Sequence, residues 1–126
     1  MKKLKCLIVD NDPVGLKLLE EYVNKTHFLE LIEKCSAAYE AMEIINKYQV
    51  DLLFVDIQIP DLKIIGFSGV SESKPRIIFT TTFMESAFIG YKVNALDYLL
   101  KPFSYEEFLI VCYKSKEWFQ LKANLN

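Results

Sequence analysis

The chain has one histidine, no Cys-x-x-Cys pair, little surplus of either charge and no long apolar run. Each shortage excludes something. His27 has no second histidine to work with, so a transition-metal centre lacks a ligand set, and His27 reads as a surface or loop residue beside Phe28. Cys6, Cys35 and Cys112 are odd in number, irregularly spaced and embedded in apolar sequence. They fit reduced, packed thiols of a cytoplasmic protein and give no disulfide framework. With 15 Lys+Arg against 17 Asp+Glu, a formal net charge of −2, the 126 residues have no basic excess with which to grip nucleic acid. No apolar run approaches the roughly 20 residues that cross a bilayer, so no membrane role is expected. The basic start Met1-Lys2-Lys3 leads into an apolar run that ends at Asp10. A signal peptide needs an apolar stretch of about 7–15 residues and a small-residue cleavage site. The first residues therefore read as a strand.

What is present suits one domain with a sizeable core: hydrophobic residues make up 52% of the chain. LKCLIVD (4–10), FLELIEKC (28–35), DLLFVD (51–56), RIIFTT (76–81) and DYLL (97–100) read as five strands. Three are continuous apolar runs of β-branched and aromatic type, as expected of strands covered on both faces. Helical periods lie between them. Val14, Leu18, Leu19 and Tyr22 share one face, as do Ala38, Ala41, Ile44, Ile45 and Tyr48, while Phe108, Val111, Cys112 and Phe119 form a closing stripe. Asp12-Pro13 reads as an N-cap with proline at the first helical position, and Ser104 with Glu107 as a capping box. Residues 62–75, diluted by two glycines and three serines, predict a short third helix, and Gly90 weakens a fourth over 85–93. Five βα units in alternation predict an α/β fold of flavodoxin-like (βα)5 type, with a parallel sheet in the order 2-1-3-4-5 and helices on both faces.

In such folds ligands bind beyond the carboxyl ends of the strands. Those ends carry Asp10-Asn11-Asp12, Asp56, Thr80-Thr81-Thr82 and Lys101-Pro102. Singly, each has a plain reading: turn residues, an N-cap for Asp12, strand-forming threonines, a Lys-Pro turn. Together they place acids, an amide, hydroxyls and a lysine along one sheet edge. Clustered carboxylates suit a hard divalent cation such as Mg²⁺, and a carboxylate can attack phosphorus to form an acyl phosphate. The cation, a lysine and a hydroxyl would then neutralise and position the phosphoryl oxygens.

LIVDNDP, DLLFVDIQIPD, IIFTTTF and NALDYLLKPF, in this order, resemble the signature segments of response-regulator receiver domains of two-component systems. DIQIPD and DYLLKPF are most similar to receivers that precede a LytTR-type DNA-binding domain. The resemblance covers essentially the whole chain, with residues 1–121 as the receiver domain and 122–126 as the start of a linker or tail. It implies phosphorelay signalling rather than enzyme turnover, with Asp56 accepting a phosphoryl group from a sensor histidine kinase. It further implies Mg²⁺ held by Asp10 (through water), Asn11, Asp56 and the Gln58 carbonyl. Thr81 is similar to the switch hydroxyl, Tyr98 to the aromatic whose rotation reports phosphorylation, and Lys101 to the phosphoryl-pairing lysine joined to Pro102 by a cis peptide. The face made by the fourth helix, fifth strand and fifth helix would switch and form a homodimer contact, near Tyr91, Tyr98 and Phe108. DNA would be reached only through a C-terminal output domain outside these residues.

Two positions depart from the family pattern. Asn11 replaces a charged ligand by a neutral one, and Ile64 stands where a glycine is usual, with Gly66 two residues later. The first keeps open a receiver-like binding module that signals without phosphorylation. A rival of another class is a haloacid-dehalogenase-type phosphatase with Asp10 as nucleophile and Asp12 as acid/base. Its further acidic pair could come only from Glu106 and Glu107, inside the capping box, and Asp56 would go unexplained. Whether Phe88, Ile89, Tyr91 and Val93 form core or a partner surface stays open.

Overall fold

β-Strand 3 (Leu52–Asp56) is buried along its entire length, and β1 (Leu4–Val9) and β4 (Arg76–Thr81) are buried at all but one residue each. This matches their uninterrupted apolar sequence, because a central parallel strand is covered on both faces. β2 (Leu29–Cys35) and β5 (Asp97–Leu100) are only partly buried and close the two edges of the sheet. The sequence LELIEKC shows why β2 tolerates an edge: Glu30, Glu33 and Lys34 meet solvent, and charges discourage pairing with another chain. In the computed structural model, which describes residues 2–65, 75–83 and 95–125, all pairings are parallel and the order is β2-β1-β3-β4-β5. The flavodoxin-like arrangement expected from the alternating pattern is therefore the one observed. Among the described residues the helices are α1 (Pro13–Lys25), α2 (Ala38–Lys47) and α3 (Tyr105–Leu125), with a 3₁₀ turn at Leu62–Ile64. The fourth helix expected over 85–93, the Phe88–Val93 cluster, Gly66 and most of the weak third helix lie outside the described residues.

Alternation along the strands builds a core on each side of the sheet. Ile8, Phe54, Ile78 and Leu99 face α1 and α3, where they meet Leu19, Val23, Phe108, Val111 and Cys112. Leu7, Val9, Leu53, Val55, Ile77 and Phe79 face Ala38 and Ala41 of α2. In the closing stripe of α3, Phe108, Val111 and Cys112 are buried and Phe119 partly so, and Ser115 joins them, bonding its hydroxyl to the Val111 carbonyl at 2.8 Å. Phe108 lies fully inside this core, stacked on Phe54 at 5.4 Å, which corrects the expectation that it would offer a dimer contact. On α3 the exposed large apolar residues among those described are instead Ile110, Tyr113 and Leu121. Two other positions depart from the helical faces. Val14 is 76% exposed, and Leu16, Leu19, Tyr22 and Val23 form the inner face of α1. Tyr48 ends α2 as its C-cap and is 59% exposed.

Helix ends follow the sequence signals. The Asp12 carboxylate accepts from the Val14 N–H, and Pro13 occupies the first turn. Ser104 Oγ accepts from the Glu107 N–H at 3.1 Å while Glu107 Oε1 accepts from the Ser104 N–H at 3.0 Å. The N-terminus of α2 is different. Ala37 has no capping side chain, and Asp61, 23 residues on from Ala38, accepts from the Ala38 and Tyr39 N–H groups at 2.9 and 3.1 Å. The loop that follows β3 is thereby tied to α2. His27 is exposed, its ring edge-on to Phe28, and the three cysteines are free and buried. No described helix is long and apolar enough to cross a membrane.

Asp61→Ala should lower the unfolding free energy by about 0.5–2 kcal/mol, the range for loss of a helix cap, as measured by urea denaturation. Burial pushes the Cys35 thiol up to about 12 and raises those of Cys6 and Cys112 as well, so all three stay protonated near neutral pH. The native protein should resist iodoacetamide at pH 8, while the urea-unfolded chain reacts at every cysteine, counted by mass spectrometry.

Candidate functional site

The strand registers place the sheet's polar end. Val9, Val55, Phe79 and Tyr98 lie side by side across β1, β3, β4 and β5. The next residue on each strand is Asp10, Asp56, Thr80 and Leu99, with side chains turned to the α1 and α3 side, since residues two apart share a face. Lys101 follows two residues after Leu99 on that same side. The apolar core therefore ends in a row of polar groups.

Asp10 and Asp56 are 0% and 5% exposed, and Lys101 joins them. Its Nζ donates to Asp10 Oδ2 at 2.8 Å and to Asp56 Oδ2 at 2.9 Å. The other carboxylate oxygens are held by backbone: the Asp12 N–H donates to Asp10 Oδ1 at 2.9 Å, and the Gln58 N–H to Asp56 Oδ1 at 2.8 Å. The Lys101 N–H donates to the Thr81 carbonyl at 2.7 Å, which anchors its backbone to β4, and its peptide to Pro102 is cis. Burial alone would lower the Lys101 pKa, but the hydrogen bonds and charges of Asp10 and Asp56 outweigh it and hold the ammonium above its usual value. Two carboxylates against one ammonium leave the cluster with a net negative charge.

Gly15 makes this packing possible. A Cβ there would sit 2.6 Å from Asp10 Oδ2 and 3.4 Å from Lys101 Nζ. Sequence reading passed over Gly15, although a glycine inside a helix costs about 1 kcal/mol relative to alanine and so usually has a packing reason.

The remaining expected residues stand around this trio. Thr81 is buried, but its hydroxyl closes a local turn, accepting from the Phe83 N–H at 3.1 Å and lying 3.2 Å from the Phe83 carbonyl. Asn11 and the Gln58 side chain are exposed, and Gln58 Oε1 accepts from the Thr82 hydroxyl at 3.4 Å. Tyr98 is half-buried, stacked on Phe79 on the α2 side, and its hydroxyl pKa is raised by burial and then by Asp97. Asp12 and Glu107 are engaged as helix caps. Thr80 Oγ1 is the one buried side-chain polar atom among the described residues without a hydrogen-bond partner. An unpaired buried group of this kind costs about 1–3 kcal/mol.

No group of three His, Cys, Asp or Glu among the described residues could hold a metal ion. The donors at the Lys101 ammonium are two buried carboxylates, all oxygen, around a net negative charge, and Asn11 follows Asp10 directly in the chain. That donor chemistry fits a hard divalent cation that keeps part of its water shell.

Residues 6–112 match the family described as response regulator receiver domain. The chain is 36% identical over 101 residues to the transcriptional regulatory protein BtsR of Escherichia coli, covering 79% of this chain and 42% of BtsR. It is 31% identical over 125 residues to the sensory transduction protein LytT of Bacillus anthracis, covering 97% of this chain and 51% of LytT. The chain thus spans about half the length of these curated relatives. Among solved structures, the response regulatory domain of mrkE from Klebsiella pneumoniae superimposes with a TM-score of 0.84 at 23% identity, covering 94% of this chain and 99% of that one. With the sheet order, the strand-end cluster and the family match in agreement, the chain belongs to the response-regulator receiver family of two-component signalling.

Proposed function

We propose that the domain relays its signal by accepting a phosphoryl group on Asp56. The observation that carries this reading is the bridge from Lys101 to both Asp10 and Asp56 at the carboxyl end of the sheet. An Asp56 oxygen attacks the phosphorus of a phosphohistidine on a sensor kinase. The new O–P bond forms as the P–N bond breaks, and the electron pair leaves with the imidazole. Lys101, already positioned by two carboxylates, then follows the negative charge onto the phosphoryl oxygens.

Asn11, Asp56 and the Gln58 carbonyl would hold Mg²⁺, with Asp10 reaching it through water. When bound, the ion neutralises charge on the transferred group. Asp10 also keeps Lys101 in place while Asp56 changes from carboxylate to acyl phosphate. Thr81 leaves its bond with Phe83 for a phosphoryl oxygen, and Tyr98 re-packs against Phe79, so a charge event at the strand ends is read out on the β5 side of the domain. A homodimer contact fits there, where Leu100 and Ile110 are exposed. BtsR is a transcriptional regulatory protein, and this supports a LytTR-type output that contacts DNA through a separate domain. Buried reduced thiols suit action in the cytoplasm.

Intact-mass spectrometry after incubation with Mg²⁺ and acetyl phosphate should show gain of one phosphoryl group by the wild type and none by Asp56→Asn, whose fold is retained. Gain that survives Asp56→Asn would place the acceptor elsewhere. Asn11→Asp adds a charged ligand and should lower the Mg²⁺ concentration for half-maximal phosphorylation by about tenfold, because ligand charge sets divalent affinity. An unchanged Mg²⁺ requirement would remove Asn11 from the metal site.

A further inference from the structure

Thr80 is the polar residue in the row of strand ends that the reading above leaves unused. It pairs with Asp56 on one side and Leu99 on the other, and its side chain lies on the same face of the sheet as Asp56, Asp10 and Lys101. It is fully buried, and its hydroxyl has no partner, although a valine would fill the same space without burying an unpaired hydroxyl. The other buried polar side chains at these strand ends are all engaged. Both Asp10 oxygens and both Asp56 oxygens accept hydrogen bonds, and Thr81 is held by Phe83. In the resting geometry the Thr80 hydroxyl bonds to none of these groups, so it gains a partner among them only if the cluster is rearranged.

Phosphorylation rearranges it. One Asp56 oxygen becomes part of the O–P bond, and the carboxylate charge moves outward onto the phosphoryl oxygens. The Lys101 ammonium, which has three N–H groups and commits two of them to Asp10 and Asp56, moves with that charge. We propose that Thr80 is a positioning residue for this step: its hydroxyl is idle in the resting domain and bonds to the Asp56–Lys101 pair once the charge has shifted. Thr80 thereby favours the phosphorylated arrangement over the resting one. The inference rests on Asp56 being the phospho-acceptor.

The test compares wild type, Thr80→Val and Thr80→Ser in Mg²⁺ and acetyl phosphate, reading the rate of phosphoryl gain, the lifetime after donor removal, and the midpoint of thermal unfolding without donor. Thr80→Val should unfold at a higher temperature than wild type, yet its phosphorylated form should accumulate more slowly or decay faster by about three- to tenfold, the factor one net hydrogen bond is worth. Thr80→Ser, which keeps the hydroxyl, should retain wild-type kinetics. A residue that merely packs would not raise stability and impair phosphorylation together. Wild-type kinetics in Thr80→Val, a lowered midpoint in that variant, or Thr80→Ser behaving like Thr80→Val would each overturn the role of the hydroxyl while leaving Asp56 as acceptor. Failure of the wild type itself to gain a phosphoryl group would remove the underlying reading and this inference with it.

Discussion

A single ammonium shared by two buried carboxylates is the interaction on which the polar end of this domain depends. Asp10 and Asp56 come from neighbouring strands and carry like charges with almost no access to water. Without Lys101 they would repel in a poorly screened environment, and removing one partner of a buried ion pair costs about 3–5 kcal/mol. With Lys101 the cluster is stable but still negative, so it keeps an appetite for a further cation and for a charge redistribution that frees the lysine. The same bridge that holds the resting fold together is therefore the one that phosphoryl transfer would alter.

The rest of the local structure can be understood as support for that bridge. The parallel registers bring Asp10, Asp56 and Thr80 to one level, and the bond from the Lys101 N–H to the Thr81 carbonyl fixes where the lysine leaves the sheet. α1 starts at Pro13, three residues after Asp10 and capped by Asp12, and Gly15 lets its first turn close onto the Asp10 carboxylate. On the other side Asp61 ties the loop after Asp56 to α2, so the strand ends are linked to helices on both faces of the sheet.

Much of this was legible in the sequence because it is local. Uninterrupted runs such as LLFV and RIIF identify central strands, LELIEKC carries the charges of an edge, and Asp12-Pro13 and Ser104 with Glu107 mark helix starts. The convergence of Asp10, Asp56 and Lys101 followed from strand order alone. What escaped depends on how closely distant elements approach. Gly15 matters through Asp10 and Lys101, and Asp61 through a helix 23 residues upstream, while Thr80 reads only as one of three strand-end threonines, its unpaired hydroxyl being invisible in sequence. Helical periodicity likewise does not separate Val14, which is exposed, from the inner face of α1, while it does turn Phe108 inward to Phe54, and only the family resemblance places that residue at a partner contact.

The most direct measurement is a crystal structure of the domain with Mg²⁺ and beryllofluoride, a stable mimic of the phosphoryl group. Lys101 Nζ is expected to leave Asp56 Oδ2 and lie against a fluorine of a beryllofluoride bonded to Asp56, with Asp10 beside the metal. Beryllofluoride bound elsewhere, or Lys101 still bridging Asp10 and Asp56 as in the resting domain, would contradict the central role of that bridge.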